Sequence, residues 1–238
     1  MNKALIFLFT ATLAVTSCRK DEVIDNTIKE VSDLATQNAN DDKAIEKYMD
    51  EHYLDENGKI KAFSSTDASD DGYKKLSQLN PNKLSSGVIV IKREGAQPDP
   101  GTAIGENDVI RLMHKTTTFL STTENNAVNY TSEVLFANTI EGTGLPQVDP
   151  LFYSASKTVL DNSKKPASYY EIEGFKEGLK TFKSYNIPDS DNYNLQGVII
   201  VPSRAAFARD EHSAYGNINW RNRSFIFNFQ VYKTTPRP

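Results

Sequence analysis

In residues 224–232 every second residue is large and apolar: Phe225, Phe227, Phe229 and Val231. Side chains alternate across a strand, so this spacing sets one face of a β-strand against a core and requires a sheet around it. Gly197-Val198-Ile199-Ile200-Val201, stopped by Pro202, is a second strand-forming run. Gly87-Val88-Ile89-Val90-Ile91 is a third. In residues 108–114, Val109, Arg111 and Met113 alternate against Ile110, Leu112 and His114, which predicts a fourth. One helix is predicted over residues 173–183, with Phe175, Leu179 and Phe182 on one side. Residues 115–150 are rich in threonine and asparagine around an apolar patch, Val134-Leu135-Phe136-Ala137, and read as a long insertion with some strand content. One helix against a mostly antiparallel sheet is an α+β fold.

The N-terminal third reads differently. Lys3 precedes an apolar run from Ala4 to Val15, too short for a bilayer span but suited to the core of a secretory signal. Val15-Thr16-Ser17-Cys18 follows and resembles a bacterial lipobox, whose cysteine is acylated before cleavage. A soluble secreted protein with an unused thiol is the alternative. Arg19-Lys20-Asp21-Glu22 resembles the address that sends some lipoproteins to the outside of the outer membrane, although such a charged cluster also serves plain solubility. The expected organisation is a signal peptide at 1–17, a tether at 18–40 and a helical extension at 41–83, followed by the main domain at 84–238. The tether has Ile24, Ile28, Val31 and Leu34 at helical spacing and can also form a short helix. Asp41 and Asp42 are expected to cap a helix carrying Ala44, Ile45, Tyr48 and Met49. Glu56-Asn57-Gly58 predicts a tight turn, and a short helical stretch is expected at 73–79.

Several functions are disfavoured by composition. With 27 basic and 31 acidic residues the net charge is −4, which argues against bulk binding of nucleic acid. The single cysteine leaves no disulfide framework. His52, His114 and His212 have no metal-ligand spacing, and no phosphate-binding glycine loop occurs, so no metal or cofactor is expected. Residues 67–72 carry acidic residues in the manner of a calcium loop, but Gln78 stands where the closing glutamate belongs.

Four segments together resemble the FKBP-type peptidyl-prolyl cis-trans isomerases. Ser86-Gly87-Val88 through Gly95 to Pro98 is similar to that family's opening strand and loop. Ile172-Glu173-Gly174-Phe175-Lys176-Glu177-Gly178-Leu179 resembles its isoleucine and Gly-Trp-x-x-Gly helix start. Val201-Pro202-Ser203-Arg204-Ala205-Ala206-Phe207-Ala208 resembles its Val-Pro-Ser-x-x-Ala-Tyr-Gly segment, and residues 222–231 its closing strand. The resemblance covers about residues 85–234 and implies a curled antiparallel sheet wrapped on one α-helix, with the N-terminal helical extension added.

It also implies a chemistry. Rotation about an X–Pro bond is slow, with a barrier of ~20 kcal/mol, and a dry pocket that favours the twisted imide is sufficient to speed it. By the resemblance Phe175 replaces the tryptophan of the pocket floor, with Phe227 and Phe152 beside it, and the Ile172 N–H meets a substrate carbonyl. Phe207 stands for the family's tyrosine and lacks its hydroxyl, unless Ala214-Tyr215-Gly216 is the true match. Tyr153 replaces the pocket aspartate, His114 the tyrosine of the second strand, and Trp220-Arg221 the two prolines before the last strand. The expected function is a prolyl isomerase acting on proline-containing polypeptides, held to the outer membrane by lipidated Cys18. The alternatives are a weakly active or inactive FKBP-like lipoprotein that binds a peptide or envelope partner, and a structural part of a surface apparatus.

Overall fold

The computed structural model describes residues 33–212, 214–216 and 218–238. The signal peptide, Cys18 and most of the expected tether lie outside the described residues. In chain order the elements are α1 (Leu34–Glu51), β1 (His52–Leu54), β2 (Ile60–Ala62), β3 (Asn82–Lys83), β4 (Ile89–Lys92), β5 (Thr102–Ala103), β6 (Val109–Glu124), β7 (Ala127–Asn138), β8 (Gln147–Val148), α2 (Lys157–Ser163), α3 (Glu173–Leu179), β9 (Lys183–Ser184), β10 (Gly197–Val201) and β11 (Arg223–Thr235). The coarse expectation of an α+β chain with antiparallel sheets holds, with three α-helices among the described residues where one helix and an extension were expected. The main sheet runs β3-β4-β10-β11-β6-β7, with β8 added beside β6, and its pairings are antiparallel.

The alternation of β11 is used on both faces. Phe225, Phe227, Phe229 and Val231 join Ile199, Val201, Ile110 and Leu112 against α3. Ile226 points the other way and, with Ile89, Ile91, Val198 and Ile200, packs under Ala44, Ile45, Tyr48 and Met49 of α1. Strands covered on both sides lose the polar alternation of a half-exposed sheet, which is why β4 and β10 read as unbroken apolar runs.

Helix α3 sits close because two glycines let it. A Cβ on Gly178 would come within 2.8 Å of Ile199, and one on Gly174 within 2.5 Å of Val201. The glycine spacing of the sequence motif is therefore a helix–strand spacing.

Three local expectations are corrected. Helix α1 starts at Leu34, within the stretch expected as tether, and its cap is Asp33, whose carboxylate accepts from the Thr36 N–H at 2.8 Å. Asp41 is an interior residue of this helix, buried, with its carboxylate accepting from Gln37 (2.8 Å), Ser121 (2.6 Å) and Ser203. The expected helix near 73–79 is a single 3-10 turn, Leu76–Gln78. The expected insertion is mostly the second half of β6 and all of β7, a long hairpin whose threonines are strand formers. The turn at Glu56-Asn57-Gly58 joins β1 to β2, with Gly58 at φ +78°.

Candidate functional site

Phe152, Phe175 and Phe227 meet beside α3. Ring centroids are 4.3 Å apart for Phe175 and Phe227, and 5.4 Å for Phe152 with each of them. The loop after β8 brings Phe152, the first turn of α3 brings Phe175, and the sheet brings Phe227. His114 of β6 stands 5.3 Å from the Phe152 ring. Phe207 lies one step further along, 5.7 Å from Phe225, and stacks on His212 at 4.0 Å.

These side chains meet as interior. Phe152, Tyr153, Ile172, Phe175, Phe207, Phe227 and His114 are each at most 4% exposed. The Ile172 N–H donates to the Phe152 carbonyl at 2.8 Å, so the donor expected for a substrate is engaged within the chain. The Tyr153 hydroxyl donates to the carbonyl of Asp108, just before β6, at 3.0 Å. The Tyr215 hydroxyl donates to the Tyr170 carbonyl, and its ring lies 6.1 Å from Phe207. A tyrosine therefore does reach this region, from Ala214-Tyr215-Gly216 rather than from the position of Phe207. His114 shares a hydrogen with Thr116 Oγ1 through Nδ1 at 2.8 Å, and burial pulls its pKa down to about 4, with Gln147 acting weakly the other way.

The side chain that completes the cluster is Phe136 of β7. Its ring lies 4.8 Å from Tyr215, 5.0 Å from Trp220, 5.1 Å from Phe225 and 5.8 Å from Phe152. The apolar patch at 134–137 marked it in the sequence, but only the β6–β7 pairing carries it over the rings. Trp220 is buried here too and donates to the Tyr215 carbonyl at 3.3 Å.

A concavity lies on the opposite face of the sheet. A cleft of about 330 Å³ separates β2 from the sheet, floored by Tyr48, His52 and Ile226 and walled by Lys61, Lys115 and Glu133. His52 Nδ1 donates to the Tyr48 carbonyl at 2.8 Å and stacks on the Tyr48 ring at 3.8 Å. Burial lowers the His52 pKa, so the ring is neutral near pH 7 and its Nε2 is an acceptor. No cluster of three metal-ligating side chains occurs among the described residues. The chain matches no protein-family model and none of the curated proteins with which it was compared.

Proposed function

We propose that this chain is an FKBP-like lipoprotein of the cell envelope, tethered through Cys18, that holds a polypeptide partner and does not turn over prolyl bonds. Three things support the FKBP-like reading. The four resembling segments fall on β4 and its loop, on α3, on the end of β10 and on β11. Those strands are neighbours in one antiparallel sheet. The short helix lies against that sheet through its two glycines.

The observation that carries the non-catalytic part of this reading is the closed aromatic centre. A rotating imide needs a dry hollow and a donor aimed into it. Here the rings fill one another's space and the Ile172 N–H is bonded to Phe152. Admitting a proline ring means breaking that bond and moving Phe136.

The test is an NMR exchange measurement on an X–Pro tetrapeptide with the full chain in detergent micelles. The expected rate is the uncatalysed one. Acceleration with folded protein overturns this reading and favours the isomerase instead. That second reading keeps one specific observation on its side: Phe152, Phe175 and Phe227, at the positions resembling the family's bowl, do converge.

A further inference from the structure

The β1–β2 hairpin has one covered edge and one open edge. Its register pairs Tyr53 with Lys61. Main-chain bonds from Asp55 to Lys59 and from Phe63 to Glu51 flank that pair. In an antiparallel ladder the bonded positions alternate, so the polar groups of Ile60 and Ala62 face away from β1. Lys75 bridges to the outer side of β1 at Tyr53. On the outer side of β2 the Ile60 N–H donates to Asn228 Oδ1 at 3.1 Å. The Ile60 carbonyl and both main-chain groups of Ala62 have no such partner among the described residues, and Ile60 and Ala62 both line the 330 Å³ cleft.

We propose that an extended segment of another polypeptide binds in this cleft as a third strand of the hairpin, with a carboxylate side chain on Lys61. The inference rests on the binding role proposed above and gives it a location on the face opposite the aromatic cluster. Unpaired strand groups are matched most fully by another backbone, which offers donors and acceptors at the same repeat. The cleft is large enough for a few residues of strand. Ile140, half-buried at the margin, and the outer side of Ile60 offer apolar contact for one face of the segment. Lys61 and Glu133 are the charges of the cleft with neither an ion pair nor a ring contact among the described residues, and Lys61, on β2 itself, selects the residue of the segment beside that edge. Lys115 is engaged with Glu141 at 3.3 Å, and Lys59 lies over the Tyr193 ring at 5.2 Å. Lys61 makes no ion pair among the described residues and is exposed at the cleft.

The test is fluorescence anisotropy with the full chain in detergent micelles and a fluorescein-labelled peptide of alternating valine and glutamate. Saturable binding is expected, at least tenfold weaker when alternate peptide nitrogens are methylated. Two variants are paired, both checked by circular dichroism. Ala62→Pro removes an edge donor and Lys61→Glu reverses the charge, and each is expected to weaken binding at least tenfold. Absence of binding, equal binding of the methylated peptide, or binding by either variant as tight as the parent's overturns the proposal. So does concentration-dependent dimerisation abolished by Ala62→Pro, which assigns the edge to a second copy of the chain. None of these outcomes involves prolyl exchange, so failure here is distinct from failure of the non-catalytic reading.

Discussion

His114 is neutral because it is buried, and that neutrality has a pH signature. Its pKa falls from the usual 6.5 to about 4 through loss of solvent. Below pH 6.5 the unfolded chain binds a proton there that the folded chain refuses, so stability drops as pH falls toward 4 and levels off beyond it. The linked loss is about 3 kcal/mol. His52 is shifted in the same direction, so the measurement is a difference. In urea unfolding, the gap between the parent and His114→Gln is expected to change by about 2–3 kcal/mol between pH 7 and pH 4.5 in the variant's favour. A constant gap contradicts the buried, neutral ring. Phe136 makes a different prediction. It is half-buried, so Phe136→Ala is expected to cost about 2–3 kcal/mol, below the range for a fully buried ring. Trp220 fluorescence is expected to shift to the red as its cover is removed. Of the aromatic cluster, Phe152, Phe175 and Phe227 were legible from motif positions and strand alternation. Phe136 was not, because its partners come from across the sheet and no local period reports them.

Elements were legible where one force decided them. Strand β10 has the bounds its apolar run predicts, and β11 (Arg223–Thr235) begins just before the alternating stretch and runs on to Thr235. Helix α1 was misplaced because Asp41 and Asp42 look like caps. An aspartate in a helix interior is disfavoured by propensity, and only tertiary bonds reverse that. Asp41 has such bonds, to Ser121 on β6 and to Ser203 after β10, which makes it the tie between helix and sheet. Burial raises its pKa, and the three donors together with Arg204 act against that rise. Asp41→Ala strands those donors and is expected to destabilise by about 2–4 kcal/mol in urea unfolding. A cost within experimental error contradicts the role of this tie. Residues 115–150 read as an insertion with only some strand content because their polar threonines hide a strand period. In the folded chain those threonines line a hairpin partly covered by α1, where β-branched polar residues suffice.

At the scale of the molecule, the α+β class was readable from the order of elements, and the second covered face was not. The described residues, from Asp33 onward, form one compact unit, in which α1 covers Ile89, Ile91, Val198, Ile200 and Ile226. A chain starting at residue 31 is expected to unfold cooperatively. One starting at residue 53 bares that apolar face and is expected to bind the dye ANS and aggregate. Equal behaviour of the two contradicts a helix built into the fold.

The two glycines of α3 have one more consequence. A helix whose distance from a strand is set by missing side chains has no slack: sliding or rolling it drives backbone into Ile199 and Val201. That wall is the fixed side of the aromatic cluster. The stretch from Phe207 to His212, packed on Phe225 without any such glycine contact, is expected to trade amide hydrogen for deuterium before α3 does.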